Sequence, residues 1–129
     1  MYAVSILAGD TGEVYLSRDR FGIKPLYICE RDNGLSFASE LHAFLEAGII
    51  RPVLNTFIRD QLLQQQFTEG KSTAVKGVER GLPGETLRIV NGTITERLQL
   101  PALPSEGPAD WDEEEALKLL DETLMDSVS

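Results

Sequence analysis

The stretch SRDRFGIKPLYICERDNGLSFASELHAFL, residues 17–45, decides the fold. Its centre, LYICER at 26–31, is rich in strand formers. Asn33-Gly34 follows as the strongest short hairpin signal, and LSFAS at 35–39 supplies the returning strand. Upstream, Gly22 permits a positive φ, and Pro25 fixes its own φ while removing a backbone donor, so RFGIKP reads as a corner between strands. Downstream, Ser39 is placed to cap a helix, with Glu40 in its first turn where negative charge suits the dipole. Leu41, Phe44 and Leu45 make an apolar stripe at helical spacing, and Gly48 reads as the stop.

The same logic extends in both directions. YAVSIL at 2–7 and VYLSR at 14–18 are strand-like and flank a turn carrying Asp10 and Gly12, so they form a hairpin. A second helix is expected from an Asn55 cap to about Gln65. ETLRIV at 85–90 and TITERL at 93–98 bracket Asn91-Gly92, another hairpin. The segment 101–110, with three prolines and a glycine, reads as an extended linker, taken with its edges as 100–111. Beyond it, Asp112 and Glu115 have capping-box spacing, and Leu117, Leu120, Leu124 and Val128 share one helical face over 112–129. The expected class is α+β: antiparallel hairpins with two short helices and a C-terminal helix, not a βαβ nucleotide fold.

Composition narrows function. With 129 residues, 42% hydrophobic and 26% charged, the chain suits one soluble domain. A net charge of −9 argues against nucleic acid and against an anionic membrane surface. Acidity is local: 110–126 holds eight of the 21 acids and one of the 12 bases. A single cysteine allows no internal disulfide, and a reducing cytoplasm is the expected location.

No residue set declares a catalytic centre. Cys29 lies mid-strand and reads as a small buried hydrophobe rather than a nucleophile, because the only histidine, His42, belongs to another element. His42 alone has no partner at ligand spacing, so no metal site is expected. Gly70-Lys71-Ser72 lacks the first glycine of a phosphate loop and reads as a chance match. Arg18-Asp19 could grip a zwitterion; the plainer reading is a structural ion pair or turn network around Gly22 and Pro25. The acidic run Glu113–Glu115 reads as a solvated first helical turn.

RDRFGIKPLY and FASE, with MYAVSIL ahead of them, resemble the glutaminase domain of glutamine-dependent asparagine synthetases, and VERGLPGETLRIVNG resembles that family more weakly, with Leu82 where the first proline of its Pro-Pro-Gly stands. The resemblance implies an Ntn-hydrolase αββα sandwich, of which 1–99 would be the C-terminal portion and 112–129 the boundary helix of a synthetase domain. It implies that the cysteine nucleophile precedes Met1 and the pyrophosphate loop follows Ser129, so the chain is expected to be inactive alone. It assigns no catalytic residue here. By resemblance, Met1 and Ile23 line an ammonia tunnel, while Arg18, Asp19, Gly22, Pro25, Ser39 and Glu40 hold structural places in the signature. ATP and Mg²⁺ would belong to the synthetase domain. The implied partners are the missing N-terminal half and that domain. Half of such a sandwich would leave apolar strand faces and edges unpaired, which implies self-association or complementation by a separate N-terminal half, so a non-catalytic interaction module stands as the alternative. An amidotransferase acting on another acid is a further alternative.

Overall fold

The computed structural model describes residues 1–103, 110 and 112–128. Its strands are β1 (Ala3–Leu7), β2 (Val14–Arg18), β3 (Tyr27–Arg31), β4 (Gly34–Ala38), β5 (Glu79–Arg80), β6 (Glu85–Val90) and β7 (Thr93–Gln99). Its helices are α1 (Leu41–Glu46), α2 (Thr56–Gln65) and α3 (Glu113–Val128). The α+β class with antiparallel hairpins and a C-terminal helix is the observed one.

Two antiparallel sheets form, one in the order β1-β2-β6-β7 and the other β4-β3-β5. They meet face to face because alternate residues of each are apolar. Leu16 of β2 and Leu87 and Ile89 of β6 pack with Leu26 and with Ile28 of β3 in one buried cluster. The next residue along β3, Cys29, points to the opposite side. There it joins Phe44 of α1 and Val78, flanked by Tyr27, Ala38 and Leu41. The three-stranded sheet is thus covered on both faces. The outer face of the four-stranded sheet carries Val4, Ile6 and Leu98, all exposed.

Both hairpins that carry an Asn-Gly pair form, but only one turns on that pair. At 90–93 the two central residues, Asn91 and Gly92, have φ of 52° and 77°, and Val90 pairs with Thr93; this is the primed turn that matches strand twist. At 31–34, Arg31 pairs with Gly34. The turn therefore centres on Asp32-Asn33, one residue earlier than Asn33-Gly34, and the positive φ, 127°, falls on Gly34 as β4 begins.

The start of α1 corrects one expectation. Its cap position is Glu40, not Ser39, and no side chain caps it; with the helix beginning at Leu41, Glu40 is not in the first turn. Burial of Phe44 against Cys29 and Val78 holds this six-residue helix without a cap. Its end follows expectation: Gly48 has φ 64°, and the amides of Gly48 and Ile49 donate to Leu45 and Phe44 O at 3.0 and 2.9 Å. Asn55 does occupy the cap position of α2, but its side chain makes no cap bond. In α3 the 16 residues begin directly after Asp112, none of them is buried, and most of the 101–110 linker lies outside the described residues. No described helix is long and apolar enough to cross a membrane.

Candidate functional site

The corner between β2 and β3 is built by two adjacent side chains of opposite charge that ignore each other in favour of backbone. Asp19 is 5% exposed. Its Oδ1 accepts from the amides of Phe21 (3.2 Å) and Ile23 (3.1 Å), and its Oδ2 from those of Lys24 (3.0 Å) and Tyr2 (3.3 Å). The Lys24 amide, with those of Ile23, Tyr2 and Phe21, holds the carboxyl down at about 2 against the opposing effect of burial. Arg18 does the complementary work. Its guanidinium donates to the carbonyls of Lys24 (2.7 Å), Gly81 (2.5 Å) and Gly22 (2.6 Å); burial pushes its pKa down. Of the two sequence readings of this pair, the turn network is the one observed. Both charges are spent satisfying a loop whose amides and carbonyls have no strand partner.

That network explains why Gly22 stands where it does. A Cβ on Gly22, at φ 64°, would lie 2.9 Å from Pro83 Cγ and 3.2 Å from Arg18 Cζ. It also joins two distant blocks of sequence. The Gly84 amide donates to Asp19 O at 2.9 Å, so LPG at 82–84 docks on DRFG at 19–22. Glu85 then closes the second block: its Oε2 accepts from the Leu82 amide at 2.8 Å, and its Oε1 from Lys71 (2.8 Å) and Arg97 (3.1 Å). Burial alone would raise its pKa; Lys71, the Leu82 amide and Arg97 outweigh burial and hold it low. Sequence reading missed Glu85 and the two-residue β5, which pairs with β3 at Tyr27 and Ile28. Glu85 carries a local signal, an acid at the start of a strand on the phase that Leu87 and Ile89 continue. A two-residue strand carries none.

Two of the sequence-marked residues, Met1 and Ile23, converge here. The Tyr2 amide, on the Met1–Tyr2 peptide, and the Ile23 amide share the Asp19 carboxylate. Both side chains face outward, Met1 85% and Ile23 55% exposed. Met1, Tyr2, Lys24, Pro25 and Ser39 line a shallow depression of about 350 Å³, so the RDRFGIKP and FASE blocks meet at it. Glu40 stands at the rim of α1 without a cap role.

The remaining candidates go elsewhere. Cys29 is 1% exposed, inside the packing between β3 and α1. His42 Nε2 faces Glu46 at 3.1 Å on the surface of α1. Lys71 is held by Glu85, which leaves Gly70-Lys71-Ser72 no free ammonium for a phosphate. Among the described residues no group of three or more His, Cys, Asp or Glu is arranged to hold a metal ion.

Compared with known proteins, residues 1–99 match the family model described as glutamine amidotransferase domain. No curated protein matches the chain.

Proposed function

The chain belongs to the glutamine amidotransferase domain family, and on that premise we propose that it is the scaffold half of the glutaminase domain of a glutamine-dependent asparagine synthetase. In this reading it shapes the exit for ammonia and does not itself cleave glutamine. The observation that carries the reading is the Asp19 carboxylate, which fixes the backbone at both Tyr2 and Ile23. Ammonia released from a glutamine amide must reach its acceptor unprotonated, and a path flanked by apolar side chains disfavours the ammonium ion. Met1 and Ile23 would supply such side chains, on backbone that Asp19 holds at Tyr2 and Ile23.

The finer parts of the reading rest on RDRFGIKPLY and FASE: an Ntn-hydrolase αββα sandwich, aspartate as acceptor, and a cytoplasmic setting. The outer face of the four-stranded sheet, with Val4, Ile6 and Leu98 exposed, suits a further layer of helix. The partners required are the nucleophile-bearing N-terminal half and an ATP-dependent synthetase domain.

Two measurements test this. The purified chain incubated with L-glutamine should release no glutamate above background, since its one thiol is sealed in the core; turnover would sink the scaffold reading. A protein carrying this domain, supplied with glutamine, aspartate and ATP–Mg²⁺, should form asparagine. Amidation of a different acid, with aspartate untouched, would replace the acceptor and leave the scaffold reading standing.

A further inference from the structure

A larger cavity, of about 500 Å³, shares no residue with the depression at the β2–β3 corner. Glu30 of β3, Glu79 of β5, Asn55 and Lys76 line it together with carbon surface from Ile28, Val75 and Val78. Its wall is a built loop. The buried Thr73 hydroxyl donates toward Val75 O at 2.8 Å and Val78 O at 2.9 Å, which draws residues 73–78 into one turn. The Lys76 amide donates to Val53 O at 2.9 Å and the Asn55 amide to Ala74 O at 2.8 Å, so the loop is tied to the entry of α2. A cavity with walls fixed in this way loses little entropy on taking up a ligand.

The polar groups of the lining are of two kinds. Arg97 Nη2 lies 3.1 Å from Glu30 Oε1 and 3.5 Å from Glu79 Oε2, which brings those two carboxylates together. The same guanidinium also serves Glu85, which Lys71 shares. Three acids therefore share two bases, and the group keeps one negative charge in excess. Lys76 is exposed and forms no ion pair with any described residue, Glu30 and Glu79 included. Asn55 stands at the cap position of α2, yet its side chain makes no cap bond. A cation alone would leave Lys76 unpaired, and an anion alone would meet the two carboxylates. A molecule carrying both charges complements the whole lining.

We propose that this cavity binds a free α-amino acid with an aliphatic side chain. Its ammonium group faces Glu30 and Glu79, its carboxylate faces Lys76 and the Asn55 amide, and its side chain lies on Ile28, Val75 and Val78. The volume agrees, since small-molecule pockets start at about 300 Å³. The site is independent of the ammonia path and of the acceptor proposed above.

Titration of the isotope-labelled whole chain with L-leucine, followed by its amide chemical shifts, tests the proposal. Saturable shifts are expected at Thr73, Val75 and Gly77. Leucinamide, which lacks the carboxylate, and isocaproate, which lacks the ammonium group, should each bind at least about tenfold more weakly. Lys76→Gln should weaken L-leucine about tenfold without changing leucinamide, and Glu79→Gln should weaken L-leucine and leucinamide but not isocaproate. Both side chains are exposed, so the circular dichroism should stay that of the parent. Lys118→Gln, on α3, should leave the titration unchanged. Absence of shifts at these amides up to roughly 10 mM L-leucine overturns the site. So do shifts that survive both Lys76→Gln and Glu79→Gln, which would place the ligand elsewhere. Leucinamide binding as tightly as L-leucine overturns the zwitterion, and L-glutamine binding more tightly than L-leucine overturns the aliphatic side chain.

Discussion

Asp19 and Glu85 are both buried carboxylates at the same junction, 5% and 3% exposed, and they solve opposite problems. Asp19 gathers four amides and no cation. Glu85 gathers two cations and one amide. The first carboxylate is the geometric centre of a loop that has no other reason to hold its shape. The second neutralises charge at a strand end whose path the sheet already dictates. Loss of the first removes a conformation; loss of the second leaves Lys71 without its carboxylate in a surviving conformation.

Asp19→Ala should produce the largest effect. Four amides lose their acceptor at once, and the cooperative thermal transition should disappear; a sharp transition near the parent's would show that the loop has other support. Gly84→Ala should come next. Its Cβ would sit 2.0 Å from Leu100 O at a φ of 70°, a backbone clash with no flexible side chain to yield, costing about 4 kcal/mol in urea unfolding. Glu85→Ala should cost about 2 kcal/mol by the same measurement, because Lys71 loses its carboxylate and the Leu82 amide its acceptor, while Arg97 keeps Glu30 and Glu79. Relief by adding Lys71→Met would locate that loss in the stranded charge rather than in the strand.

Acid should separate the two carboxylates further. The folded value for Asp19, about 2, lies below its ordinary 3.8. The unfolded chain therefore binds the proton first, and the stabilisation from Asp19, present in full above pH 3.8, is lost as pH falls through 3.8 toward 2. Glu85 is also held low and adds to the loss in the same direction. Glu85→Gln should therefore keep a steep acid limb in a pH series of thermal midpoints, and an acid limb flattened in that variant would reassign the titration to Glu85. The smallest effect belongs to Ser39→Ala. With the cap position at Glu40 and no side-chain cap bond, the change should stay within about 0.5 kcal/mol; a loss near about 1 kcal/mol would reinstate Ser39 as the cap.

What could be read along the chain was whatever local sterics dictate. The bounds of β2 and β6 follow from strand formers between turn residues, and the C-terminal end of α1 and the turn of the 90–93 hairpin follow from Gly48, Asn91 and Gly92, residue types that tolerate a positive φ cheaply. RFGIKP was visible as a corner, and Arg18 and Asp19 as a pair with a structural alternative. Tertiary structure decided the rest. β5 exists only because β3 has a free edge beside Glu79 and Arg80. α1 starts at Leu41 because Phe44 is buried, which outweighs a serine one residue too early to cap. Whether Arg18 and Asp19 would bond to each other, to a ligand or to backbone depended on which amides and carbonyls were brought within reach, and the Gly81 carbonyl that Arg18 takes is 63 residues away. Sequence determines the conformations each residue finds cheap. Only the assembled sheets determine which polar groups are left without partners, and in this protein that shortage fixes the corner on which the proposed site stands.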